Sequence, residues 1–179
     1  RILATKLRAL GVLHGDRVVS YMPYVPDTAI QMMATTAIGA VWSSAAPEFG
    51  VKTVIERFSQ IEPKVLFAAD GYRFGGKDFG REAEVRRIVD ALPSLQTVVW
   101  LPYLDTARAA PAWPQLRTWA DLLAHDEVSR EDFRYEHVAY DHPLWVVFSS
   151  GTTGLPKAIV HSHVGALLEH LKLLHFHLN

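Results

Sequence analysis

One run of nine residues, Ser149-Ser150-Gly151-Thr152-Thr153-Gly154-Leu155-Pro156-Lys157, gathers the side chains of this sequence best suited to holding an anion. The hydroxyls of Ser149, Ser150, Thr152 and Thr153 are donors, and Gly151 and Gly154 can take positive φ and let a ligand approach the backbone. Lys157 adds a compact positive charge. Consecutive amides and hydroxyls beside an ammonium form an anion site, for which a polyphosphate is the natural guest. Pro156 fixes φ ahead of the lysine and serves shape rather than chemistry.

Two other readings compete on spacing. A solvated hairpin turn would need only two to five residues, whereas 149–156 is longer and unusually rich in donors. Excess length without structural need favours function. A Walker A loop, GxxxxGK[ST] counted from Gly151, would require glycine where Pro156 stands and Ser or Thr where Ala158 stands. It would also open a helix, while Ala158, Ile159 and Val160 read as a strand. The apolar run Trp145, Val146, Val147 and Phe148 gives a second strand on the other side. The expected element is therefore strand, loop, strand.

The pattern [Ser/Thr]-Ser-Gly-Thr-Thr-Gly-x-Pro-Lys resembles the signature of the adenylate-forming superfamily of acyl-CoA synthetases, luciferases and peptide-synthetase adenylation domains. Those enzymes usually have glycine after the Pro-Lys pair, and Ala158 departs from that habit. Ala158 followed by Ile159, Val160 and His161, with WSSAAPEFG upstream and RFSQIEPKVLF between, is most similar to the acetoacetyl-CoA synthetase branch, with acetate or another short acid as the nearest alternative. The resemblance implies ATP-dependent, AMP-forming ligation of acetoacetate to coenzyme A through an acyl-adenylate, with Mg²⁺ bridging the phosphates. It implies that Ser149, Ser150, Gly151, Thr152, Thr153, Gly154 and Lys157 hold the ATP phosphates, with Lys157 and Thr153 as the candidate catalytic residues. It also assigns Arg73 and Lys77, in the segment YRFGGK, to the phosphorylated nucleotide end of coenzyme A; Gly75 and Gly76 would let that loop fold over a ligand. For both basic residues a solvated loop is the alternative.

Trp42, Ser43 and Ser44 fall at a strand end, where open α/β sheets place ligands, although core packing suits Trp42. His161, His163, His170, His175 and His177 invite a metal-site reading. His170 and His177 share a helix face, but seven residues of helical rise separate them by about 10 Å, too far for one ion. His161 could face substrate or pack; no protein metal ligand is assigned.

The elements that must position these residues alternate. Helical apolar spacing is expected around Ile2, Leu3, Leu7 and Leu10; over Ile30, Met33, Ala34, Ala37 and Ile38, stopped by Gly39; over Val51, Val54, Ile55 and Phe58; and over Val85, Ile88, Val89 and Leu92. Strands are expected at 17–22, 41–44, 64–68 and 97–101, and a short helix at 118–124. The prediction is an α/β fold, a mostly parallel sheet with flanking helices. The stretch 102–114, with three prolines, reads as a surface connection, and 129–142 is charged, with no functional pattern.

Hydrophobic residues make up 49% of 179, enough for a sizeable core. A net charge of −1 disfavours nucleic acid or an acidic membrane as principal partner; small-molecule substrates remain. No cysteine is present, which excludes a disulfide framework and suits a reducing, cytoplasmic setting. No apolar run reaches the roughly 18 residues of a membrane helix. Arg1 stands within a helical pattern and 167–178 is an amphipathic run, so the expectation is a fragment of the large N-terminal AMP-binding domain, inactive alone. The resemblance places the residues for adenine, ribose and metal, and an adenylation lysine from a mobile C-terminal domain, outside 1–179.

Overall fold

The computed structural model describes residues 1–124, 128–150 and 154–178. In chain order the elements are α1 (Ile2–Ala9), β1 (Arg17–Tyr21), α2 (Pro26–Ala37), β2 (Val41–Ala45), α3 (Val51–Phe58), β3 (Val65–Ala69), β4 (Gly71–Phe74) and β5 (Lys77–Gly80). They continue with α4 (Glu82–Ala91), β6 (Thr97–Leu101), β7 (Leu116–Thr118), α5 (Trp119–Leu123), β8 (Pro143–Ser149), β9 (Lys157–Ser162) and α6 (His163–His177). Seven strands form one sheet in the order β7-β6-β3-β1-β2-β8-β9. All neighbouring pairs are parallel except the last, where β9 runs antiparallel to β8 at the edge.

The central strands are covered on both faces, so they are mostly apolar rather than alternating, while β9 at the edge is largely exposed. Val18 of β1 and Met22 just after it point into one core with α1, α2 and α5, while Val19 and Tyr21 point into a second core with α3 and α4. The expected apolar faces of α3 and α4 are the buried ones: Val51, Val54 and Phe58 in the first, Val85, Ile88 and Val89 in the second.

Three features depart from the expectations. Helix α2 buries Thr28, Gln31, Ala34 and Thr35, while Ile30 and Met33 remain 47% and 65% exposed. Some polar groups on its inner face find partners, Thr28 donating to Pro23 O at 2.7 Å and Gln31 Nε2 to Met22 Sδ at 3.2 Å, whereas Gln31 Oε1 and Thr35 Oγ1 are buried without a hydrogen-bond partner. The apolar stripe instead lines a groove shared with α1 and with Val128, Phe133 and Tyr135.

The segment 71–80 is a hairpin rather than a loop. Gly75 and Gly76 both have positive φ, +56° and +74°, which a two-residue turn between twisted strands demands. Their freedom is used to turn the chain.

The charged stretch 129–142 packs against α1, α2 and the turn that follows α2. Phe133 is buried, Glu136 donates its backbone N–H to Ala37 O at 3.0 Å, and His142 Nε2 lies 2.8 Å from Gly39 O. Its order comes from contacts with distant residues, which no local pattern announces.

Candidate phosphate-loop site

The strand-loop-strand element has the predicted form. β8 and β9 pair from Trp145↔His161 through Phe148↔Ala158 to Ser149↔Lys157, so the last register pair closes the loop 150–156. Lys157 and Ser150 are exposed, and Ser149 is half-buried. Gly151, Thr152 and Thr153 lie outside the described residues. A Cβ added at Gly154 would meet nothing within 4 Å.

The hairpin is fixed to the sheet at its base. Trp42 is in register with Trp145, and buried Ser43 donates its hydroxyl to Val146 O at 2.7 Å. Trp42 itself is buried in the first core, so the packing role expected for it holds, and Ser43 is a structural donor. At the other end Ser162 caps α6, accepting from Gly165 N–H at 3.1 Å, as hydroxyls do at helix starts.

Parallel strands deliver their loops to one edge of a sheet, and two further constellations sit there that the motifs did not announce. The Tyr21 hydroxyl lies 2.9 Å from Pro47 O and 2.8 Å from Phe49 O, and Arg81 Nε donates to the same Pro47 carbonyl at 2.8 Å. Arg81 also donates to Tyr72 OH and pairs with Glu84. Burial pushes the Tyr21 hydroxyl up to about 12, against the opposing pull of Arg81. The loop following β2 is thereby pinned by one phenol and one guanidinium.

At the end of β3, the buried Asp70 carboxylate accepts backbone N–H bonds from Tyr103 at 2.7 Å, Leu104 at 2.8 Å and Asp105 at 3.1 Å. Arg73 lies alongside, donating to Asp78 at 2.9 Å and to Leu104 O at 3.2 Å, with its guanidinium 5.8 Å from the Tyr103 ring centre. Lys77 is exposed and faces Phe74 across the hairpin. Arg73 and Lys77 therefore share one hairpin, a separate two-stranded sheet, and β3, the strand that leads into it, is separated from the phosphate-loop strand β8 by β1 and β2. A buried aspartate followed three residues later by arginine was the available sequence signal for this corner; a lone Asp gives no indication that three amides converge on it.

The histidines divide. His161 is exposed on β9, with its ring 6.3 Å from Trp145. His170 Nδ1 lies 2.7 Å from Ala166 O. The rings of His14, His142 and His163 are tilted neighbours in a row, with centres 4.2 Å and 5.8 Å apart. His163 Nε2 is buried without a hydrogen-bond partner, and burial, then the neighbouring His142, lowers its pKa. Among the described residues no group of three or more His, Cys, Asp or Glu is arranged to hold a metal ion. The run 149–157 contains hydroxyls, amides and an ammonium but no carboxylate, a donor set for phosphate oxygens rather than for a bare cation.

Comparison with known proteins supplies the lineage. The whole stretch 1–178 matches the family described as AMP-binding enzyme. The chain is 40% identical over 178 residues to acetoacetyl-CoA synthetase of Rattus norvegicus, covering 96% of this chain and 26% of that protein. It is 43% identical over 176 residues to acetoacetyl-coenzyme A synthetase of Rhizobium meliloti (strain 1021), covering 98% and 26%. The solved structure of acetoacetyl-CoA synthetase from Streptomyces lividans superposes with a TM-score of 0.90 at 48% identity, over 99% of this chain and 26% of that one. The chain thus spans about a quarter of the length of these relatives. With the fold, the donor-rich hairpin loop and these matches in agreement, the chain belongs to the AMP-binding enzyme family.

Proposed function

We propose that residues 1–179 are part of the large N-terminal domain of an ATP-dependent, AMP-forming ligase that joins acetoacetate to coenzyme A. The observation that carries this reading is the loop closed by Ser149 and Lys157, in a chain whose relatives are named acetoacetyl-CoA synthetases.

A carboxylate acylates poorly because its leaving oxide is too basic. Attack of the acetoacetate carboxylate on the α-phosphorus of ATP forms the P–O bond of an acyl-adenylate and expels pyrophosphate; the coenzyme A thiolate then forms the thioester and expels AMP. In the first step negative charge grows on the departing pyrophosphate. The hydroxyls of Ser149, Ser150, Thr152 and Thr153 and the Lys157 ammonium are the groups proposed to meet it, with the amides of Gly151 and Gly154 giving close backbone approach. Each charge-assisted bond is worth about 1.5–3 kcal/mol, so several supply a useful part of the barrier reduction. Mg²⁺ arrives with the nucleotide and neutralises phosphate charge. Arg73, already held by Asp78 and Leu104, and exposed Lys77 are the proposed contacts for the phosphates of coenzyme A. The rest of the chain completes the site, and 1–179 alone is proposed to be inactive.

No helix among the described residues is long and apolar enough to cross a membrane. Together with the absence of cysteine, this suits the cytoplasm as the proposed location.

The test is product analysis with the full-length protein, MgATP, coenzyme A and, in parallel, acetoacetate, acetate and propionate. AMP and pyrophosphate, formed fastest with acetoacetate, are expected. ADP as product would overturn the adenylation chemistry, and a higher kcat/KM for acetate would overturn the substrate alone.

A further inference from the structure

One side chain far from the motif in sequence reaches into its loop. Gln60 follows α3, and its Nε2 donates to Pro156 O at 2.9 Å and to Glu56 O at 2.6 Å, so both amide protons are used. The platform beneath it is firm: Phe58 is fully buried, and the helix end is tied by Gln60 N–H to Arg57 O at 3.2 Å and Ile61 N–H to Phe58 O at 3.1 Å.

The carbonyl that Gln60 holds belongs to the peptide linking Pro156 to Lys157. That peptide is planar, so fixing its oxygen also fixes the Lys157 N–H and Cα, the points from which the Lys157 side chain departs. Pro156 has no N–H to offer and a φ already set by its ring. Its ψ is the remaining freedom, and the bond to Gln60 restricts it. Ser149 and Lys157 face each other in the last register pair of the β8–β9 ladder, and Pro156 is the residue just outside it. Gln60 thus supplies a tether from α3 to the leg that carries the ammonium.

We propose that Gln60 is a positioning residue for the phosphate loop, acting through Lys157 on the nucleotide phosphates. The proposal rests on the phosphate-holding role given to Lys157 above. Gln60 is exposed, so water can solvate both groups when the bond is lost, and the fold has little stake in it. The bond's work is to preorganise a flexible, charged side chain before the phosphates arrive.

The experiment uses the full-length enzyme and acetoacetate-dependent ATP–pyrophosphate exchange, with Gln60→Met, which keeps length and removes the donor, and Gln60→Glu, which sets a carboxylate against the carbonyl. A net hydrogen bond of ordinary strength corresponds to a fall of about threefold to tenfold in kcat/KM for MgATP. KM for acetoacetate and the melting temperature should not change. In a Lys157→Ala background Gln60→Met should cost less than twofold, because its partner in function is already gone. Equilibrium MgATP binding, read by tryptophan fluorescence, closes the same cycle if turnover of the double variant is too slow.

A silent Gln60→Met beside an impaired Lys157→Ala overturns the positioning role and leaves the phosphate loop standing. An undiminished Gln60→Met effect in the Lys157→Ala background also overturns it, as does a lowered melting temperature with all kinetic constants falling together. A silent Lys157→Ala removes the phosphate-loop reading and this proposal with it.

Discussion

Ser43 and Val146, 103 residues apart, are joined by a buried hydrogen bond of 2.7 Å from the Ser43 hydroxyl to the Val146 carbonyl. It lies where β2 and β8 share a single register pair, Trp42↔Trp145, so a side chain reinforces a short backbone ladder. Ser43→Ala would leave a buried carbonyl without its donor, at a cost of about 1–3 kcal/mol. Urea unfolding followed by tryptophan fluorescence should show a lowered midpoint, with Trp42 and Trp145 as nearby reporters. An unchanged midpoint would mean that the hairpin's base is held by other contacts.

Lys157→Ala removes the ammonium at the loop's closing pair. Acetoacetate-dependent ATP–pyrophosphate exchange by the full-length protein should fall at least tenfold, corresponding to about 1.4 kcal/mol or more of lost stabilisation. Stability should be almost untouched, since Lys157 is exposed and exposed substitutions seldom shift it.

Asp70 satisfies three backbone amides from one buried carboxylate. Asp70→Ala should destabilise by about 2–4 kcal/mol, because removing the acceptor strands donors that made charge-assisted bonds. Limited proteolysis should then cut sooner within 102–114, the connection those amides begin. Equal cleavage rates in wild type and variant would show that the connection is ordered without Asp70.

His163 gives a pH dependence with a definite sign. Its folded-state pKa lies below the usual value, chiefly through burial and secondarily through His142. The His14 ring is tilted against that of His142, and Glu136, which pairs with Arg8 and lies 3.9 Å from His14, is the facing carboxylate. Unfolding therefore takes up a proton as pH falls below about 6.5, and stability drops in that direction. The urea midpoint should fall between pH 7.5 and pH 5.5, and His163→Gln should flatten the profile. A variant profile as steep as wild type would assign the dependence to other groups.

Local pattern was informative where a single repeat decides the outcome. Val85, Ile88 and Val89 form a helix face whichever neighbour covers them, and β8 and β9 are apolar runs on either side of a polar loop. In α2 the pattern held in part: Ala34 and Ile38 are buried in the core, but Ile30 and Met33 line a groove while Gln31 and Thr35 are buried in their stead. Which face of a helix meets the sheet is chosen by all the elements competing for that surface, and the sequence of one helix does not contain that competition.

What the sequence determined by itself was chemistry: a hydroxyl and glycine-rich loop ending in Pro156 and Lys157, between strands, in an α/β chain of the AMP-binding enzyme family. Its residue types and spacing persist whatever the surroundings. Only the tertiary structure decided what holds that loop and its neighbours in place. Ser43 meets Val146, Gln60 meets Pro156, and Asp70 meets Tyr103, Leu104 and Asp105. These are hydrogen bonds between residues 33 to 103 positions apart, and such contacts exist only once the tertiary fold has brought distant segments together.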